Sequence, residues 1–279
     1  MMRQPVLLYY PLHEDVIAFS TMRRGGVSVG NYAEFNINHY CGDDEAAIRE
    51  NRKALCQLLD LPDSRLVMPH QVHQAKSLCI DEDFLACTDE EKARRLEGID
   101  AVLTNLPNVC IGVSTADCIP VLLYDPRQQA AAAIHAGWRG TVQRIVLQAI
   151  ADMKEAYGTH PEDLIAQIGP GISLDSFEVG DEVYDAFSAA GFDMPAIAKQ
   201  YPTSNYQLSI VNCQLYQWHI DLPACNRQQL LAAGVAEANI HLSDICTVKQ
   251  SDLFFSARRL DIQSGRIFTG ICKSNCVTA

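Results

Sequence analysis

Residues 115–139 read TADCIPVLLYDPRQQAAAAIHAGWR. Two apolar runs, 119–124 and 130–135, flank DPRQQ, a proline-bearing polar connection suited to a short loop. Paired across that loop, the runs make a β-hairpin whose far ends lie side by side. Cys118 stands just before the first run and His135 ends the second. The hairpin therefore brings a thiol next to an imidazole. Adjacent apolar strands of this kind imply antiparallel pairing, which a doubly wound sheet would not show. The expected fold is α+β: largely antiparallel, mixed sheets layered with helices, in a single domain over 1–279.

Outward from the hairpin, TVQRIVLQAIADMKEAY (141–157) is the clearest helix. Val142, Ile145, Val146, Ala149, Ile150 and Met153 recur at helical spacing, with Thr141 as the expected N-cap and Gly158 as the stop. A second helix is read over 44–60, with Ile48, Leu55, Leu58 and Leu59 on one face and Asp43, Asp44 and Glu45 at its N-terminus. Further helices are expected near 181–190 and 221–234. Strands are expected at 5–10, 16–19, 66–68, 101–104, 109–114 and 164–168 as well as in the hairpin. The stretch 195–219 carries no clear period. No repeat, linker or low-complexity tract interrupts the chain.

The 279 residues are 48% apolar, enough for a sizeable core. The formal charge of −12 argues against a generic nucleic-acid binder, which must neutralise phosphates. A small anionic substrate remains compatible, because a few arginines can gather in one cleft. No apolar run reaches membrane-spanning length, and MMRQPVLLYYPL reads as a first strand, not a secretion signal. Eleven cysteines at irregular spacing favour a reducing cytoplasm over a disulfide framework. Cys56, Cys110, Cys213 and Cys246 have apolar neighbours, where a thiol behaves as a small hydrophobe. Cys272 and Cys276 form a weak CxxxC pair.

His73 in PHQVHQ joins Cys118 and His135 as a set, each at the end of an expected strand. The spacing leaves three readings open. One Cys and two His suit zinc, with a fourth position left for water as in catalytic sites. Cys118 with His135 as base makes a nucleophile pair. The bland reading is a buried thiol beside an unrelated histidine. Glycine- and arginine-bearing turns offer anion contacts: MRRGGVSVGNY (22–32), HAGWRG with Arg139, IGPGIS (168–173), and FFSARR with Arg258 and Arg259.

Taken together, TADCIPVLLYDP, HAGWRG, QVH, RRGGVS with FN, GDD…ENR, IGPGI…FEVG, CT and FFSARR resemble, in order, the YfiH-like laccase-domain family, also called peptidoglycan editing factor or multicopper polyphenol oxidase-like. The resemblance runs from about residue 16 to 268. It implies a zinc ion held by His73, Cys118 and His135. It also marks Arg23, Asn36 and Asp100. Met22, Phe35, Tyr40 and Gln74 depart from the usual family residues. None of these removes a metal ligand; they bear on substrate preference.

The family implies phosphorolysis of adenosine, inosine, guanosine and methylthioadenosine, with adenosine deamination in the same pocket. Deamination needs water activated by a metal such as zinc and a nearby acid, for which Asp100 or Asp117 is the candidate. Phosphorolysis needs bound phosphate, for which Arg23 and Arg258 are expected. Purine nucleosides and phosphate are thus the expected partners of a monomer or dimer, with no nucleic acid and no membrane. Two other functions compete: a Cys–His hydrolase, or an accessory protein, acting on peptidoglycan precursors. True copper polyphenol oxidation is disfavoured, because the eight histidines include no HxH pair to build a trinuclear cluster.

Overall fold

A computed structural model of the chain describes residues 4–202 and 216–273. The hairpin forms from strands Ile119–Asp125 and Ala130–Ala136, antiparallel, with Ile119 opposite Ala136 and Val121 opposite Ile134. Its loop is pinned by Asp125, whose Oδ1 accepts the backbone N–H groups of Arg127 and Gln128 at 2.9 and 3.1 Å. All seven residues of each strand are buried. That is why the sequence shows continuous apolar runs where a half-exposed hairpin would alternate.

Continuous burial follows from what lies on each face. The hairpin is the centre of a six-stranded sheet, in the order Ile240–Leu242, Ile165–Ile168, Ile119–Asp125, Ala130–Ala136, Ala101–Thr104, Ser77–Cys79. One face, through Val121, Leu123, Ala132 and Ile134, packs on Ile145, Val146, Ala149, Ile150 and Met153 of helix Ile145–Tyr157, with Leu222 and Leu230 of helix Leu222–Ala233 behind. The other face, through Leu122, Tyr124, Ala131 and Ala133, packs on Ala18, Ile111, Val113 and Ile271 of a five-stranded sheet. The outer side of that second sheet is covered by Leu55 and Cys56 of helix Glu45–Leu58, with Phe19, Cys110 and Phe268. Burial of this order, at about 25 cal/mol per Å² of apolar surface, drives the layers together. The architecture is α+β with mixed sheets: most pairs are antiparallel, but Leu66–Val67, Ser77–Cys79 and Ile240–Leu242 pair in parallel.

The expected helices over 44–60, 181–190 and 221–234 form as Glu45–Leu58, Asp181–Ala189 and Leu222–Ala233. Asp44 caps the first by accepting from Ala47 N–H, and Gly234, in the left-handed region, ends the third. Two details differ from expectation. Leu58 is 40% exposed and is not on the buried face of its helix. Thr141 is not the cap of the long helix. It lies inside a short helix, Trp138–Val142, and a left-handed Arg144 (φ 65°) separates that turn from the helix starting at Ile145. Arg144 is held there by a bond to Ala190 O at 2.7 Å and by stacking on Phe192. Strand Ile267–Lys273 and helices Glu82–Ala86 and Asp89–Leu96 were not anticipated. Cys213 and Cys276 lie outside the described residues. Cys272 is buried against Cys110 in the sheet core. Among the described residues, no helix is long and apolar enough to cross a membrane.

Candidate metal centre and its cleft

The hairpin register places Cys118 one step beyond the pair Ile119–Ala136, opposite Gly137, and next to His135. His73 arrives from a separate loop. Its turn is locked from two sides. Gln71 clamps Ser114 with both ends of its amide, donating to the carbonyl at 2.8 Å and accepting from the N–H at 2.7 Å. Asp100 accepts the backbone N–H groups of Val72, His73 and Gln74 at 3.2, 2.9 and 2.8 Å. His73 itself sits at φ 64°, a conformation held by this clamp. One donor atom from each of His73, Cys118 and His135 then lies within 4.8 Å of the others.

Gly137 explains the HAGWRG turn at this point. A Cβ on it would stand 2.9 Å from Cys118 Sγ and 3.0 Å from His73 Cδ2. Only glycine lets the backbone pass so close to the donors.

The electrostatics suit a cation. Asp100 Oδ1 lies 2.8 Å from His135 Nδ1. Burial opposes ionisation of Asp100, but the hydrogen bonds from His135, Gln74 and Val72 outweigh it and hold the carboxyl below the usual range. Burial also opposes the Cys118 thiolate. The imidazoles of His135 and His73 outweigh it and draw the thiol down; burial likewise opposes the charged form of His135, but Cys118 and Asp100 outweigh it and raise the imidazole. With Nδ1 fixed on a carboxylate, His135 offers Nε2 to a ligand, the arrangement common to metal-binding histidines.

The three donors line a cleft of about 200 Å³, together with Asn38, Tyr40, Cys41, His70, Gln71, Thr115, Ala257, Ile262 and Arg266 among others. Thr115 Oγ1 is buried with no hydrogen-bond partner among the described residues. Ala257 and Ile262 also wall a second cleft, of about 980 Å³, that contains Asp117, Trp138, Arg258 and Arg259.

The remaining expected residues fall in three places. Asp100 is fully buried behind His135 and does not line the cleft. Asp117 and Arg258 line the second cleft. Asp117 ties the C-terminal segment down, accepting Thr247 Oγ1 and the Arg258 N–H, each at 2.7 Å. Arg23 and Asn36 line neither cleft. Arg23 donates to Ala33 O at 2.9 Å and Ser251 O at 2.5 Å. Asn36 is buried, donating to Asp43 at 2.9 Å and accepting from the N–H groups of Asn38 and Arg266 at 3.2 and 3.1 Å. It shapes the loop that carries Asn38, Tyr40 and Cys41. Sequence reading missed Tyr40, His70 and Arg266 as cleft residues. Tyr40 carried a signal as a departure from the family pattern, whereas Arg266 in SGRIF carried none.

Residues 17–274 match the multi-copper polyphenol oxidoreductase laccase family. The chain belongs to that family. It is 45% identical over 259 residues to a purine nucleoside phosphorylase of Bacteroides thetaiotaomicron, covering 93% of this chain and 92% of the relative. It is 43% identical over 259 residues to adenosine deaminase RL5 from an unknown prokaryotic organism, covering 92% and 94%. The crystal structure of YlmD from Geobacillus stearothermophilus superposes with a TM-score of 0.84 at 28% identity, over 98% of this chain and 99% of that one.

Proposed function

We propose that this family member is a zinc-dependent purine nucleoside phosphorylase, acting on adenosine, inosine, guanosine and methylthioadenosine, that also deaminates adenosine. The observation carrying this reading is the convergence of His73, Cys118 and His135 in the lining of one cleft, with Asp100 behind His135. The names of two relatives supply the substrate class. A His₂Cys set with an open fourth position is a zinc arrangement, and eight histidines without an HxH pair do not suit a trinuclear copper cluster. Free thiols at every described cysteine fit a reducing compartment such as the cytoplasm.

The donor set fits the ion: a thiolate, and an imidazole whose far nitrogen is already fixed on a carboxylate. Zinc bound there would supply Lewis-acid polarisation of the group it faces. The protein's own residues do the rest. Asp100 fixes the tautomer and aim of His135 and the turn of His73, so it is a positioning residue. Arg258 and Arg259 in the adjoining cleft neutralise phosphate as it approaches from across the shared Ala257–Ile262 wall. Asp117 holds Arg258 in place through its backbone.

The line Cys118–His135–Asp100 also has the order of a nucleophile, a base and an orienting acid. That favours, as a second reading, a Cys–His hydrolase acting on a peptidoglycan precursor. Product analysis with adenosine, with and without phosphate, separates the two when a chelator is added. The zinc phosphorylase gives phosphate-dependent adenine that is lost with chelator and restored by zinc. Absence of adenine and inosine from the zinc-loaded protein would sink the purine reading.

A further inference from the structure

Tyr40 and His70 stack face to face on one wall of the cleft, with ring centroids 4.0 Å apart and planes 19° from parallel. The two rings come from different loops, and each is fixed independently of any ligand. His70 Nδ1 lies 2.7 Å from Glu97, and its backbone bridges the same residue. The Tyr40 backbone N–H donates to Asn38 Oδ1 at 2.6 Å, and Asn38 in turn donates its own N–H to the buried Asn36. The ring is thus held at the end of a hydrogen-bonded loop and backed by a second ring that is itself anchored.

What faces outward is the unexplained part. One face of Tyr40 is covered by His70, yet the residue remains 47% exposed. The Tyr40 hydroxyl makes no hydrogen bond among the described residues, its charged neighbours being Glu97 and Arg52, and the ring has no second ring contact there. Tyr40 lines the cleft of the donor set and also borders a neighbouring cleft of about 810 Å³ beside Arg52, so a flat, half-exposed aromatic surface stands at the edge of the donor cleft where a flat ring can stack. Every purine has a π-face of matching size, and stacking on an aromatic side chain discriminates flat heterocycles without needing hydrogen bonds.

We propose that the Tyr40–His70 stack is the platform on which the purine ring lies, with Tyr40 as the contact residue and the His70–Glu97 pair as its rigid backing. This rests on the purine reading above and adds to it the element that selects the base. Tyr40 contributes through its ring face and not through its hydroxyl. It sets affinity for the nucleoside and leaves both the metal donors and the phosphate cleft untouched.

Steady-state phosphorolysis of adenosine and inosine by the zinc-loaded wild type, Tyr40→Phe and Tyr40→Ala tests this, with zinc content and melting temperature measured on each protein. Tyr40→Phe is expected to behave as wild type. Tyr40→Ala is expected to raise KM for both nucleosides roughly ten- to a hundredfold, with KM for phosphate and zinc content unchanged and the melting temperature lowered by no more than about a few degrees as the ring stack is lost. An unchanged nucleoside KM in Tyr40→Ala, from an active wild type, overturns the platform alone. A Tyr40→Phe protein as impaired as Tyr40→Ala overturns it too, because the hydroxyl would then be the contact. A zinc-loaded wild type without activity on any purine nucleoside overturns the purine reading, and the platform with it.

Discussion

Asp100 sits 2.8 Å from His135 Nδ1 and, with the same carboxylate, gathers the backbone N–H groups of residues 72–74. One buried side chain therefore orients two of the three residues of the candidate metal site, which arrive from distant parts of the sequence. Asp100→Asn replaces one acceptor oxygen with an NH₂ group facing donors. Metal affinity should fall roughly ten- to a hundredfold, as is typical when such a backing group is lost. Competition titration with a coloured chelator measures this directly. Equal affinity in the variant would show that Asp100 does not orient the donors.

Gly137→Ala tests the closeness of the backbone to the donors. The added methyl would lie within 3.0 Å of both Cys118 and His73. The backbone here is hemmed in by the hairpin and by helix Trp138–Val142, so the donors are what must move. Overpacking of this sort costs about 1–3 kcal/mol. The variant is expected to fold, with a modest drop in melting temperature, and to bind zinc substoichiometrically after dialysis. Full zinc occupancy would mean that the donors can shift without penalty.

Asn51, in the ENR segment, does for the neighbouring loop what Asp100 does for the donors. It is buried in helix Glu45–Leu58. Its Oδ1 accepts from Val27 N–H at 2.9 Å, and its Nδ2 donates to Ser28 Oγ and Asn36 O at 3.0 and 2.9 Å. Asn51→Ala removes all of these bonds and leaves Val27 N–H and Asn36 O without the amide, while Ser28 Oγ keeps its bond to Asp43 Oδ2 at 2.7 Å. A loss of about 2–4 kcal/mol follows from three such bonds. Urea denaturation should show a lower midpoint at unchanged slope. An unchanged midpoint would mean that water replaces the amide.

The hairpin and its pairing of Cys118 with His135 were legible because the two apolar runs, the turn between them and the motif ends are local in sequence. Helix Ile145–Tyr157 was legible from its period, but its start was not. The left-handed turn at Arg144 is stabilised by Ala190 and Phe192, which are remote in the chain. Strand Ile267–Lys273 pairs on both sides, with Val16–Thr21 and Cys110–Thr115, and so takes its conformation from neighbours hundreds of positions away. The cleft walls fail for the same reason. Tyr40 and His70 are ordinary residues until Glu97 and the Asn36 loop bring them face to face. The expectation that Arg23 and Arg258 both bind phosphate came from their residue type and from local motifs, RRGG and FFSARR, with the family resemblance added for Arg23. The fold separates them, with Arg258 in an open cleft and Arg23 tying loops together.

That separation gives the last prediction. Arg23 contacts two backbone carbonyls and stacks over Phe255 at 5.0 Å. Arg258 reaches Glu178 O at 3.2 Å with one guanidinium nitrogen and lies in a cleft beside Arg259. If phosphate enters through that cleft, Arg258→Ala should raise KM for phosphate by roughly tenfold or more, since a charge-assisted contact contributes about 1.5–3 kcal/mol. KM for the nucleoside should hold. Arg23→Ala should instead lower the melting temperature, because Ala33 O and Ser251 O lose their donor, while KM for phosphate changes little in the protein that remains folded. Initial rates over a phosphate series, with melting curves for both variants, decide the matter. The reverse pattern, with phosphate affinity lost in Arg23→Ala and kept in Arg258→Ala, would move the phosphate site to the loop at Arg23 and remove the second cleft from the mechanism.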